Sequence, residues 1–175
     1  MSVSLFTFAA CFITNEGKNM KITLLVVGKT TNTALDSLIA DYQKRLTHYV
    51  PFSLVVLPEL KNAKSLSFEQ QKQAEGEMIF RSVTASSWVV LLDEHGREFR
   101  SVEFASWLQK SMSAGRDIVF VVGGPYGFSP EVYQRANAQI SLSQMTFSHQ
   151  MVRLVFVEQI YRAMTILRGE PYHHE

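Results

Sequence analysis

Short apolar runs alternate along the chain with longer segments in which apolar residues recur at helical spacing. Four runs have the length of buried strands, and they cover residues 22–27, 52–57, 88–92 and 117–122. Three longer segments show the helical period, and they cover residues 32–49, 68–84 and 101–112. This alternation predicts an α/β fold, a mainly parallel sheet with helices on both faces.

The C-terminal part continues the alternation with one short unit and one long helix. A helix is predicted over 130–138, where Ser129 can cap its start, and 140–142 could add a fifth strand. A long helix is predicted over 149–168, ending at Gly169. Its apolar residues cover most of its circumference, which indicates burial on several sides and suggests a subunit interface.

The length of 175 residues fits one domain with a proper core. The first nineteen residues look separate, because their apolar run has no basic residue ahead of it, as a signal peptide would, and Met20 directly precedes the first strand. We expect residues 1–19 to be an N-terminal extension, either disordered or produced by a start codon assigned too early. Residues 20–175 are expected to form a single α/β domain.

Composition and charge narrow the function classes. The single cysteine, Cys11, rules out an internal disulfide and agrees with a cytoplasmic protein, and no stretch is long enough for a membrane-spanning helix. The net charge is only +1, whereas proteins that hold RNA through phosphates alone carry a large basic excess. An RNA substrate would therefore have to be a prefolded site, or be bound by several copies together.

Three segments follow predicted strands, and ligands of parallel sheets bind beyond the carboxyl ends of the strands. These candidate ligand loops cover residues 92–96, 123–127 and 141–149. The glycines of 123–127 allow close approach of the backbone to a ligand, but the spacing is neither a dinucleotide fingerprint nor a P-loop. A tight turn that only joins a strand to a helix explains this segment equally well.

The segment 141–149 mixes hydroxyl groups with large apolar side chains and has no charge before His149. Such a segment suits an adenine, with apolar contacts to the ring faces and backbone hydrogen bonds at the edges. A buried core connection is the alternative interpretation.

The C-terminal tail holds further candidates. Tyr172 and His173 can stack on a base and move a proton, although terminal residues are more often disordered than functional. Adjacent histidines without a second spaced pair are weak evidence for a metal, so no metal is expected. Glu158 and Arg162, four residues apart on the long helix, can form an ion pair.

These segments together resemble the RlmH family of the SPOUT, or α/β-knot, methyltransferases over residues 20–175. The marks are, in chain order, Lys21-Ile22, Leu92-Asp93 with Gly96, Gly123-Gly124-Pro125 with Gly127, Ser141-Leu142-Ser143, His149, Val152-Arg153, Glu158, Tyr161-Arg162-Ala163, and Pro171-Tyr172-His173 with the final Glu175. Each mark is modest, but their order and spacing make the match specific.

The resemblance implies a fold, a cofactor and a set of site residues. The C-terminal part should be threaded into a trefoil knot, an exception to the rule against threading, and the protein should be a homodimer that binds S-adenosylmethionine in the knot. The implied cofactor-binding residues are Leu92, Gly123, Leu142, Ser143, Gln144, Met145, Thr146 and Phe147. The implied catalytic residues are His149, Arg162, Tyr172 and His173.

The implied activity is methylation of N3 of a pseudouridine in large-subunit ribosomal RNA within the assembled ribosome. The family usually has Arg or Lys before the last Glu, whereas this chain has His174, which is mostly neutral at pH 7 and receives no firm role. Three alternatives stay open: a related methyltransferase of another RNA such as transfer RNA, a non-catalytic ribosome- or nucleotide-binding module, and a small hydrolase. The hydrolase is disfavoured because the chain lacks a G-x-S-x-G nucleophile elbow.

Overall fold

The computed structural model describes residues 20–174, which form a five-stranded sheet with helices on both faces. The strand order is β2-β1-β4-β3-β5, and every neighbouring pair is parallel. The strands are β1 (Ile22–Val27), β2 (Phe52–Leu57), β3 (Trp88–Arg97), β4 (Ile118–Val122) and β5 (Ala138–Ile140). The predicted mainly parallel α/β architecture is thereby confirmed.

Five α-helices connect and cover the strands within residues 20–174. They are α1 (Thr33–Leu46), α2 (Phe68–Ser82), α3 (Ser101–Ser113), α4 (Pro130–Arg135) and α5 (Met151–Arg168), and a 3-10 turn spans Ala63–Ser65. The cap of α1 is Asn32, whose side chain accepts the N–H groups of Ala34 and Leu35. Ser129 caps α4, as its position in the sequence predicts. None of the helices in this part of the chain is long and apolar enough to cross a membrane.

Successive side chains of each central strand point to opposite faces of the sheet, so the sheet separates two apolar cores. In β4, Ile118 and Phe120 lie in the core beneath α1, α3 and α5, whereas Val119 and Val121 lie in the smaller core beneath α2 and α4. This two-sided burial explains why the central strands are continuous apolar runs.

The third strand is longer than its apolar run predicts, because it resumes after a bulge. Leu92 pairs with Ile140, and so does Arg97, so the four residues between them leave the regular ladder. A Cβ at Gly96 would lie 2.5 Å from backbone atoms of Ile140, and only glycine allows this approach. The bulge carries residues 93–96 out beyond the end of the sheet.

The fourth helix and the fifth strand are displaced from their predicted positions. The helix is predicted over 130–138 and ends at Arg135, and the strand is predicted over 140–142 and lies at Ala138–Ile140. The reason is pairing with β3: the Asn137 N–H donates to the Val89 carbonyl, and the Asn137 side chain accepts the Val89 N–H. These bonds to a residue 48 positions earlier stop the helix.

The long helix packs against α1, α3 and the sheet, which confirms the predicted burial on several sides. The subunit interface inferred from that burial stays a prediction, as does the knot. The predictions for residues 1–19, and for Glu175, lie outside the described residues.

Candidate active site

The three candidate ligand loops meet at one cleft of about 540 Å³ beyond the carboxyl ends of β3, β4 and β5. The cleft is lined by residues of 92–95, 122–128 and 140–149, together with Tyr133 and Val152. Seven of the eight implied cofactor residues line it, and so does His149. Gln144 is the exception, because its side-chain amide turns away and donates to Glu98 at 3.4 Å.

The bulge of β3 places Asp93 in the cleft wall, where its side chain is 8% exposed. One carboxylate oxygen accepts the Tyr133 hydroxyl at 2.6 Å, and the other accepts the His95 backbone N–H at 2.8 Å. Burial by itself raises the pKa of Asp93, but the hydrogen bonds from Tyr133 and His95 outweigh it and hold the pKa below its ordinary value. Asp93 is therefore a fixed negative charge at neutral pH.

The glycine loop after β4 folds back on itself within four residues. The Gly127 N–H donates to the Gly124 carbonyl at 3.2 Å, and Gly127 has φ of +78°. Behind the loop lies Glu75 of α2, only 8% exposed, which accepts a backbone hydrogen bond from Gly124. Burial raises the pKa of Glu75, and the Gly124 bond opposes only part of the rise.

The segment 141–149 is an irregular connection stabilised by its own serines. The Ser141 hydroxyl donates to the Ser143 carbonyl at 3.0 Å, and the Ser143 hydroxyl accepts the Met145 N–H at 2.9 Å. Met145 is 76% exposed, which a buried core connection would not allow. The side chain of Phe147 is partly buried in the cleft wall.

The charge of the cleft is one-sided. Among the described residues that line it there is no lysine or arginine, whereas Asp93 and Glu94 are both present. A nucleotide phosphate would lack a cationic partner here, but a ligand that carries a positive charge would be stabilised. The apolar side chains of Leu92, Leu142 and Val152 provide faces for a flat, uncharged ring.

The remaining implied catalytic residues form a second cluster, away from the cleft, which we call the tail cluster: Tyr42, Glu158, Arg162, Tyr172 and His173. Arg162 and Glu158 form the predicted ion pair, with 2.6 Å between nitrogen and oxygen. The Tyr172 hydroxyl donates to Glu158 at 3.0 Å and lies 3.2 Å from the Tyr42 hydroxyl. His173 Nδ1 lies 3.4 Å from the Arg162 guanidinium.

The surroundings of the tail cluster fix two protonation states. Burial and the hydrogen bonds with Tyr42 and Glu158 raise the pKa of Tyr172, so its phenol stays protonated at neutral pH. The hydrogen bond to Glu158 raises the pKa of Arg162, and the guanidinium also lies 4.8 Å from the centre of the Tyr172 ring.

Within one chain the tail cluster does not line the cleft. Val152 lines the cleft at the start of α5, whereas Arg162 lies ten residues further along the helix, about 15 Å at the rise of an α-helix. The structure thus brings the cofactor candidates and His149 together, and groups Arg162, Tyr172 and His173 separately.

Two buried groups of this region escape sequence reasoning. Glu75 is one of several polar residues of a polar helix, and Tyr133 is part of a short helix with no motif. A carboxylate at a buried helix position is the signal that could have pointed to Glu75. The partnership of Tyr133 with Asp93 spans 40 residues and has no local signature.

Comparison with known proteins gives consistent similarities. A family model described as "Predicted SPOUT methyltransferase" matches residues 20–173. A protein of Phocaeicola vulgatus named ribosomal RNA large subunit methyltransferase H is 57% identical over 157 residues, which cover 89% of this chain and 100% of the relative. A protein of the same name from Flavobacterium johnsoniae is 54% identical over 157 residues, with the same coverage of both chains.

Proposed function

The chain belongs to the SPOUT methyltransferase family, and from that membership we propose that it methylates RNA of the large ribosomal subunit with S-adenosylmethionine as methyl donor. The observation that supports the cofactor best is the cleft itself, with apolar faces, main-chain edges and acidic groups but no described basic residue. S-adenosylmethionine carries a sulfonium cation and no phosphate, so its chemistry fits this lining.

The residues of the cleft divide the work of holding this cofactor. The side chains of Leu92, Leu142 and Val152 bind the adenine faces, and main-chain groups near Gly123 and along 142–147 bind its polar edges. Asp93 stabilises the positive charge. When bound, the cofactor supplies an electrophilic methyl group that a base nitrogen can attack in line.

The proposed acceptor is N3 of a pseudouridine, which must lose its proton for the transfer. Tyr172 holds its phenol proton at neutral pH, so it donates a hydrogen bond and positions the base rather than removing the proton. His173 is the remaining tail residue that can accept a proton near pH 7. Arg162 stabilises negative charge on the base or holds a phosphate. His174 receives no role in this mechanism.

The tail cluster must approach a cleft that its own chain does not place beside it. We propose that the protein is a homodimer in which the tail of one copy completes the cleft of the other. The half-buried surface of α5, which carries Glu158 and Arg162, is the proposed contact region. A dimer also doubles the surface offered to RNA, which suits a chain whose net charge is only +1.

The first experiment measures cofactor binding and substrate choice. Calorimetry should show S-adenosylmethionine binding that Gly123→Arg abolishes, and methylation should occur on ribosomes from a strain lacking such a methyltransferase. Mass spectrometry of the ribosomal RNA then identifies the methylated nucleotide. The isolated RNA hairpin should be a poor substrate, since shape rather than net charge selects the ribosome. Methylation of transfer RNA, equal turnover of the hairpin, or no cofactor binding would contradict the proposal.

The second experiment tests which copy supplies the tail. Gly123→Arg protomers have an inactive cleft and an intact tail, whereas His173→Ala protomers have the reverse. Mixed dimers contain one complete site only if the tail acts on the partner's cleft. Activity restored on mixing supports the dimeric site, and mixtures as inactive as either variant alone refute it.

A further inference from the structure

An exposed aromatic pair lies at the rim of the cleft. The rings of Phe68 and Tyr126 stack with centroids 4.1 Å apart and planes 24° from parallel. Phe68 is 61% exposed and Tyr126 is 43% exposed. Tyr126 lines the cleft, whereas Phe68 does not, so the pair extends the cleft lining outward over the surface.

Both members of the pair stand on restrained backbone. Phe68 is the first residue of α2, directly after a capping box formed by Ser67 and Gln70. Tyr126 belongs to the glycine loop, whose turn is closed by the bond from Gly127 to Gly124. A preorganised aromatic surface loses little conformational entropy when a flat ring stacks on it.

Basic side chains precede the pair along the chain. Lys61 and Lys64 are exposed in the loop before α2, and the Gln71 side chain holds that loop by donating to the carbonyls of Ala63 and Leu66. Lys72, by contrast, is engaged with Glu69 at 2.6 Å. Because the cleft lining itself has no described basic residue, this loop offers cationic groups beside its rim.

We propose that the Phe68–Tyr126 pair is a stacking platform for an unpaired RNA base that flanks the methylated nucleotide, with Lys61 and Lys64 contacting the adjoining phosphates. This inference rests on the proposed function. Every nucleobase has a flat face that stacks on aromatic rings, and RNA is recognised largely through unstacked bases of this kind. The combination of exposed rings with nearby cations matches a nucleotide, which carries both a flat face and a negative charge.

The test is the substitution Phe68→Ala, because Phe68 lies outside the cofactor cleft. Its KM for ribosomes should rise on the order of ten-fold, the typical effect of losing one stacking ring, while S-adenosylmethionine affinity stays unchanged. Phe68→Tyr should restore the KM. The matched control is Val102→Ala, an exposed apolar residue in the first turn of α3 on the other face of the sheet.

The lysines are tested by salt dependence. Replacing Lys61 and Lys64 together by Gln should reduce the slope of log KM against log salt concentration by about 1, because fewer counterions are released. Lys110→Gln on α3 is the control and should leave the slope unchanged.

Three outcomes would overturn the inference. They are an unchanged KM in Phe68→Ala, failure of Phe68→Tyr to restore a raised KM, and a lower sedimentation mass in Phe68→Ala, which would make the pair a contact between copies of the chain. If the unaltered protein itself fails to methylate ribosomes, the proposed function fails. If it is active and Phe68→Ala is equally active, the stacking platform alone is wrong.

Discussion

Arg153→Met should destabilise both the fold and the cleft. Arg153 is 1% exposed, and its guanidinium donates to the carbonyls of Val27 at 2.7 Å, Gly28 at 2.9 Å and His149 at 2.9 Å. It also donates to the Thr30 hydroxyl at 3.1 Å. The side chain thus ties the end of β1 to the last residue of the segment that lines the cleft.

The magnitude follows from the acceptors that lose this donor. Methionine has a similar length but no donor, and each buried acceptor left without a partner costs about 1–3 kcal/mol. Burial of the cation lowers the pKa of Arg153, against the effect of nearby Glu59, so removing the charge recovers part of its desolvation cost. We expect a net loss of about 3 kcal/mol, which lowers Tm by about 6–12 °C in a chain of this size.

Thermal unfolding followed by circular dichroism measures the effect, and calorimetry measures the accompanying loss of S-adenosylmethionine affinity. The control is Arg81→Met on α2, whose ion pair with Glu77 is exposed and 3.5 Å long. That substitution should change stability by less than about 0.5 kcal/mol. A Tm of Arg153→Met within 2 °C of the unaltered protein, about what a loss under 1 kcal/mol produces, would refute the reasoning.

Three further predictions concern the carboxylates of the cleft. Gly124→Ala places a Cβ 2.5 Å from both oxygens of buried Glu75, so we expect S-adenosylmethionine affinity in calorimetry to fall about ten-fold, an overlap cost of 1–3 kcal/mol; unchanged affinity would contradict this. Glu75→Gln should be more stable than the unaltered protein in urea at pH 7. Since burial raises the pKa of Glu75, its penalty grows as pH rises from the ordinary glutamate pKa through the raised one, and a stability difference that does not vary with pH would be inconsistent. Asp93→Asn should weaken S-adenosylmethionine about three-fold but leave S-adenosylhomocysteine, which lacks the sulfonium charge, unaffected, and equal losses for both ligands would disprove the charge argument. The folded-state pKa of Asp93 is lowered, so its stabilising contribution is present above its unfolded pKa and lost as pH falls through the folded value, a loss that urea titrations of Asp93→Asn should not show.

Local sequence patterns were sufficient for the sheet and for most of the cleft. Two-sided burial makes strands such as β1 and β4 continuous apolar runs, and a helix with one buried face repeats with the helical period, so both can be recognised without tertiary information. Parallel strands bring their carboxyl ends to one edge, and this rule alone placed the three ligand loops together. The marks of the family added the cofactor and the tail residues.

Tertiary pairing decided the features that depend on residues far apart in the chain. The Asn137–Val89 bonds end α4 early, and the double pairing of Ile140 with Leu92 and Arg97 produces the bulge that carries Asp93. No local pattern encodes either feature, because the competing energies come from partners dozens of positions away.

Sequence alone determined which residue types are available, and the fold determined which of them meet. Tyr172 and Arg162 were identified from the chain, but their grouping with Glu158 and Tyr42, rather than with the cleft of the same chain, follows from the docking of the tail on α5 and α1. Tyr42 and Tyr172 are 130 residues apart, and only packing of the completed core brings such groups within hydrogen-bonding distance.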